Sequence, residues 1–145
     1  MGEVPEALLN PTLEILDGSG IQQLDSFTIS QVAKDEFFTS TLGLSSDAGI
    51  VDAVSCAPMM MTTAFSLVIV TLEDASKADA VCKDFEANLD WRKWVCVAPS
   101  DAMLAVKGEQ VLCLVAFEDV YTGIASGIAA AGWQEAKTLK NPDLN

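Results

Sequence analysis

The chain has 145 residues, half of them hydrophobic, and a formal net charge of −13. This length fits one domain whose core needs no metal or disulfide to hold it. The excess of 21 acidic over 8 basic residues argues against nucleic acid and anionic membranes as partners, because both attract clustered Lys and Arg. The chain has no His, which removes the commonest general base and the commonest zinc ligand.

The first 29 residues predict a helical and flexible segment that precedes the main domain. Within it, residues 3–17 are acidic and carry Leu at helical spacing, with an interruption near Pro11. Residues 30–39 predict a helix, and residues 43–49 predict a loop.

The middle of the chain predicts two strands followed by a helix. Residues 50–59 have mixed strand character, and Pro58 predicts that this strand is irregular or lies at a sheet edge. Residues 64–72 give the clearest strand, and residues 76–90 give the clearest helix. Apolar side chains recur along one face of that helix, and we expect Phe85 among them to lie in the core.

The same order follows in the second half. Residues 103–107 and 111–117 predict a hairpin that turns near Gly108. Residues 121–131 predict a helix that ends at Gly132, because Gly is the usual residue just beyond a helix C-terminus. The chain then becomes polar.

These elements predict an α+β fold in which an antiparallel or mixed sheet of about four main strands packs with helices. The order is ββα-ββα, behind an N-terminal helical segment. Residues 30–135 form a single domain, and residues 136–145 form a polar tail.

The two best strands are apolar on both alternating faces, as Leu67 and Ile69 show on one side and Val68 and Val70 on the other. A sheet with one face in water alternates apolar and polar residues instead. Either the N-terminal helices cover the second face, or an apolar patch remains there as a binding site. A homodimer is the simplest way to bury such a patch.

Two acidic pairs and one Met run are the candidate binding residues. Glu73 and Asp74 precede one helix, and Glu118 and Asp119 precede the next. The four carboxylates could form a cluster that binds Ca²⁺ or supplies an acid and a base, but helix capping is the favoured interpretation. The run Met59, Met60 and Met61 is typical of adaptable core filling, with a ligand-binding surface as the alternative.

No motif for catalysis, a cofactor or a metal was found in the sequence. The four cysteines, Cys56, Cys82, Cys96 and Cys113, have no zinc-module spacing and are expected to be buried thiols, or to form one or two disulfides if the protein is secreted. Gly123 and Gly127 form a GxxxG within the last helix, which predicts close packing of this helix on the sheet.

The stretch from Phe37 to Asp119 resembles the DUF4358 family of uncharacterised bacterial domains. The resemblance lies in the order of a strand at 66–70, a helix at 78–89 followed by Arg92, then Pro99 and the hairpin around Gly108. Members are typically secreted proteins or lipoproteins of Firmicutes. The resemblance therefore implies export, with a lipid anchor on a leader that this chain lacks.

These observations predict a non-catalytic binding domain, extracellular or at the cell surface, that recognises an unknown protein or an envelope ligand. Two alternatives stay open. One is a carboxylate-dependent hydrolase of envelope glycans, and the other is a cytosolic interaction module. No nucleic acid, cofactor or membrane-spanning segment is expected, and a homodimer is left open as one way to bury an apolar patch.

Overall fold

The structure, a computed structural model, describes residues 6–18, 27–32, 36, 38–42, 44–45, 49–58, 65–89 and 99–141. Its helices and strands follow one another in the order α1 (Glu6–Gly18), β1 (Phe27–Gln31), α2 (Phe38–Leu42), β2 (Ile50–Pro58), β3 (Phe65–Leu72), α3 (Ala78–Ala87), β4 (Asp101–Lys107), β5 (Gln110–Ala116), α4 (Glu118–Ala130) and β6 (Gln134–Lys140). A 3-10 turn, Ala75–Lys77, leads into α3.

The described strands form one sheet in the order β1-β2-β3-β5-β4-β6, and every neighbouring pair is antiparallel. The α+β class is therefore confirmed. The sheet has six strands where about four were expected, because the polar strands at its two edges carry little hydrophobic signal. With β1 ahead of β2 and β6 after α4, the simple ββα-ββα order does not describe the chain.

Helices cover both faces of the sheet. On one face, Ile15 of α1 and Ile124 of α4 join a buried cluster with Leu67 and Ile69. On the other face, side chains of α2 and α3 join a second cluster with Val68 and Val70. Phe85 of α3 is 1% exposed in that second cluster, which confirms its predicted place in the core.

The turns occur where glycine allows them. Gly108 joins β4 to β5 with a φ of 60°, and Gly132 follows α4 with a φ of 89°. Both values lie in the left-handed region that glycine adopts without a steric penalty. The predicted hairpin and the predicted end of the last helix are confirmed.

Three predictions near the termini were wrong. Helix α1 continues through Pro11 without the expected interruption. The helix expected at residues 30–39 is contradicted at its start, because residues 27–31 form β1, and the Val32 N–H donates to the Ala53 carbonyl of β2 at 2.9 Å. The polar tail expected from residue 136 instead belongs largely to β6, which pairs with β4.

Two expectations about packing also change. Of the two alternatives predicted for β2, the edge position is wrong, because β2 lies between β1 and β3, whereas the register shift between Ile50 and Asp52 agrees with an irregular strand. The glycines of α4 were expected to approach the sheet. Instead, a Cβ placed on Gly18 of α1 would lie 3.2 Å from Gly127 Cα, so the small residue serves contact between α1 and α4.

Candidate functional site

The first acidic pair lies at the end of β3, where α3 begins. Asp74 Oδ1 accepts a hydrogen bond from the Ser76 N–H at 2.9 Å, so Asp74 caps the 3-10 turn that leads into α3. Hydrogen bonds from Ser76 lower the pKa of this exposed carboxyl, with a smaller contribution from the charge of Lys77. The neighbouring Glu73 is exposed, and its backbone N–H donates to the Gly49 carbonyl. For Asp74, the structure supports the capping interpretation.

The second acidic pair lies at the opposite end of the sheet. In the β3–β5 register Phe65 faces Ala116 and Thr71 faces Gln110, so the ends of β3 and β5 that carry the two pairs point away from each other. Six residue steps of about 3.4 Å separate these ends by roughly 20 Å. Glu118 is exposed in the first turn of α4, and the side chain of Asp119 lies outside the described residues.

This separation argues against the alternative in which the two acidic pairs form one carboxylate cluster. Paired carboxyls of a glycoside hydrolase lie within about 10 Å of each other, so the two acidic pairs cannot work on one glycosidic bond. Sequence alone could not exclude the cluster, because the two pairs have the same local context and only the antiparallel pairing of β3 with β5 separates them. The run Met59, Met60 and Met61 lies outside the described residues.

A polar cluster that the sequence analysis missed lies where β4 begins. Asp101 Oδ1 accepts a hydrogen bond from Lys140 Nζ at 2.8 Å, and Asp101 Oδ2 accepts one from Ser100 Oγ at 2.6 Å. Asn141 N–H donates to the Ser100 carbonyl at 2.9 Å, and Asn141 Nδ2 donates to the Pro99 carbonyl at 2.9 Å. These bonds attach the end of β6 to the start of β4.

The charges in this cluster stabilise one another. The pKa of Asp101 is lowered, because hydrogen bonds from Lys140 and Ser100 and the charge of Lys140 outweigh the effect of burial. The pKa of Lys140 is raised, first by its hydrogen bond to Asp101 and then by the Asp101 charge. Burial, followed by the charges of Asp101 and Glu135, raises the pKa of Tyr121 on α4 to about 12. At neutral pH Asp101 is therefore a carboxylate of low basicity, and Lys140 and Tyr121 stay protonated, so these three groups supply neither a strong base nor an activated nucleophile.

A second row of polar residues crosses the same face of the sheet at its other end. Lys107, Gln110, Thr71 and Asp52 follow one another across β4, β5, β3 and β2 in register. Lys107 Nζ donates to the Ala131 carbonyl at 2.7 Å, and Gln110 Nε2 donates to Thr71 Oγ1 at 3.3 Å. Asp52 Oδ1 is buried and accepts no hydrogen bond in the described part of the chain.

The charged residues at the two ends of β4 are placed to stabilise the dipole of α4. Asp101 lies on the side where α4 begins, and Lys107 contacts the carbonyl just beyond its end. An anion near a helix N-terminus and a cation near its C-terminus are both stabilising. These two polar groups have a structural explanation that requires no ligand.

The described thiols are protected rather than reactive. Burial raises the pKa of Cys56 to about 12, and burial together with the charge of Asp79 raises that of Cys82. Cys56 and Cys82 are free cysteines, and Cys113 is buried in the core. Cys96 lies outside the described residues.

Within the described ranges, no group of three or more His, Cys, Asp or Glu residues is arranged to hold a metal ion. The helices of that part of the chain include none that is long and apolar enough to cross a membrane. The expected apolar patch on the sheet is likewise not found there, because α1 with α4 and α2 with α3 bury the two faces. The large hydrophobic side chains that stay exposed, Leu13, Val51 and Phe117, belong to three different parts of the fold.

Comparison with known proteins does not extend this description: no family model, curated protein or solved structure matches the chain. The resemblance to the DUF4358 family accordingly stays a prediction.

Proposed function

We propose that this chain is a non-catalytic binding domain and that it recognises a cationic segment of a protein or envelope component. The observation that carries the proposal is the direction in which the environment shifts the pKa values of six described groups. The carboxyls of Asp74 and Asp101 have lowered pKa values, whereas the thiols of Cys56 and Cys82, the Tyr121 hydroxyl and the Lys140 ammonium have raised ones.

Every one of these shifts moves the pKa of the group further from neutral pH. Catalysis favours the opposite arrangement, with a carboxyl pKa raised, or a lysine or thiol pKa lowered, toward the working pH. These six groups therefore hold one protonation state near neutral pH, which suits a surface that binds with fixed charge.

The charge balance favours a cationic partner. Three of the described lysines are engaged by oxygens of the protein itself, since Lys107 donates to Ala131, Lys137 pairs with Glu86 and Lys140 pairs with Asp101. The net charge of −13 leaves many acidic side chains without such a partner on the chain. An acidic surface of this kind attracts cationic segments over a range set by the ionic strength.

The proposed location is the cell surface or the exterior, and it rests on the resemblance to the DUF4358 family. A cytosolic module would use the same acidic surface. The native start of the gene discriminates between the two, because a lipobox upstream of Met1 would place the protein outside the membrane.

Binding of labelled peptides, measured by fluorescence anisotropy, tests the proposal. A peptide of alternating Lys and Val should bind saturably and lose affinity as salt rises, whereas the matched peptide of alternating Glu and Val should not bind. If neither peptide binds at low ionic strength, or if the protein turns over a glycan or peptide substrate, the proposed function is wrong.

A further inference from the structure

The two edges of the sheet are unlike each other. β6 forms one edge and carries Lys137 and Lys140, a Glu and a register shift opposite Leu104 and Ala105. Charged side chains, above all Lys, and irregular pairing are the devices by which proteins keep an edge strand from pairing with another chain. β1 forms the other edge as Phe-Thr-Ile-Ser-Gln, and it contains no charge and no Pro.

The backbone of β1 is oriented so that it can pair a second time. The Val32 N–H donates to the carbonyl of Ala53, which lies directly opposite it. In an antiparallel pair, successive residues direct their N–H and C=O groups alternately toward the partner strand and away from it. Ser30 therefore faces β2, whereas Gln31 and Ile29 direct their backbone groups away from β2.

Nothing in the described part of the chain pairs with this outer side of β1. Unpaired N–H and C=O groups along an edge are a template for an added strand, whose main chain supplies the affinity. β1 is five residues long, which is enough for a short extended segment to pair with it.

The charge of the chain indicates what that segment is. Glu36 follows the strand and is exposed, and the chain as a whole carries a net charge of −13. A second copy of the chain would bring another −13 charges to the same edge, which disfavours a dimer through β1. A segment rich in Lys or Arg meets the opposite charge.

We propose that β1 is the docking edge of the protein and that an extended cationic peptide segment of a partner adds to the sheet there. This proposal rests on the proposed binding function and locates the binding site at β1. Strand addition aligns the main chain of the partner with β1, and the net negative charge of the chain favours a partner with cationic side chains.

The test uses the full chain and the labelled peptide of alternating Lys and Val. Gln31→Pro removes an outward N–H and places a ring at the edge, and it leaves every described hydrogen bond to β2 in place. Gln31→Thr is the matched control, because it keeps that N–H. We expect Gln31→Pro to weaken binding about fivefold or more, and Gln31→Thr to bind within about twofold of the original chain.

The corresponding change at the other edge is Thr138→Pro. Asn141 donates to the Ser100 carbonyl opposite it, so the alternation also directs the Thr138 N–H away from β4. The peptide should bind this variant as it binds the original chain. If Gln31→Pro does not fold, Ser30→Lys gives β1 the protection that β6 has, and it should weaken binding of the same peptide more than Ser30→Thr.

The outcomes separate the two proposals. Salt-dependent binding that Gln31→Pro and Ser30→Lys leave unchanged would overturn the docking edge and keep the binding function. Absence of any binding would overturn the binding function first. Concentration-dependent dimerisation that Gln31→Pro abolishes, measured by sedimentation, would show that a second copy occupies the edge and that the cationic partner is wrong.

Discussion

The two edge strands of the sheet, β1 and β6, differ in the charge of their side chains, and this difference bears on function more than the core does. β6 is closed by side chains, since Lys140 pairs with Asp101, Lys137 pairs with Glu86 and Asn141 binds the Pro99 carbonyl. β1 has the same kind of outer backbone, but no charged side chain on it. Charged side chains attach β6 to its neighbours, and under the proposed docking the uncharged β1 stays able to pair with a partner.

The largest expected effect lies in the core that supports β6. Phe85 lies on α3, next to Glu86, and is 1% exposed. Phe85→Ala should reduce the free energy of unfolding by about 3–5 kcal/mol, through lost apolar contact and the cavity that remains. Urea denaturation measures it, and Phe85→Leu should cost clearly less. A loss below about 1 kcal/mol for the Ala variant would mean that α3 does not pack as described.

The cluster at the start of β4 should give the next effect. Asp101→Ala removes the acceptor of both Lys140 and Ser100, and we expect a loss of about 1–3 kcal/mol in the free energy of unfolding. Asp101→Asn keeps an acceptor for Ser100 and should lose less. Lys140→Met should cost less than either, because the Lys140 side chain is 81% exposed. Equal losses in all three variants would contradict the geometry of the cluster.

The single tyrosine of the chain allows a direct check of the pKa pattern. Absorbance near 295 nm should show Tyr121 ionising with a pKa of about 12 in the folded protein. Since the usual value is 10.0, the unfolded chain releases this proton first, and stability should fall as the pH rises from 10.0 toward about 12. Tyr121→Phe should lose less stability over that range. Ionisation near pH 10 in the folded protein would remove one support of the proposed function.

The lowered pKa values of Asp74 and Asp101 affect the stability of the protein at low pH. The folded protein binds these protons more weakly than the unfolded chain does. The carboxylates therefore stabilise the fold at pH values above 3.8, the ordinary pKa of Asp. This stabilisation is lost as the pH falls through the lower pKa of the folded state. Asp101→Asn should therefore unfold with a weaker acid dependence than the original chain. Denaturation midpoints between pH 5 and pH 2 measure the difference.

The smallest effect is expected at Lys137. Its salt bridge with Glu86 joins side chains that are 50% and 35% exposed, so Lys137→Ala should change the free energy of unfolding by less than about 0.5 kcal/mol. The role of Lys137 is to protect the edge strand β6 from pairing with another chain, and it adds little to stability. A loss above about 1 kcal/mol would show that the pair holds β6 in place more firmly than described.

What the sequence could predict follows the same division between core and edge. The strand at β3, the helix with Phe85 and the hairpin at Gly108 were predictable, because apolar periodicity and turn glycines are local signals. β1 and β6 were not, since half-exposed edge strands lack that periodicity and form only through pairing with β2 and β4. The Asp101 cluster was missed for the same reason, as Lys140 lies 39 residues away in sequence.

Site-resolved hydrogen exchange shows whether the outer side of β1 is open and whether it accepts a strand. In the free protein the Gln31 and Ile29 amides should exchange rapidly and the Ser30 amide slowly. Addition of the peptide of alternating Lys and Val should slow Gln31 and Ile29, and it should leave Thr138 and Lys140 on β6 unchanged. Slow exchange of Gln31 and Ile29 in the free monomer, or peptide protection that appears on β6 instead, would contradict the account.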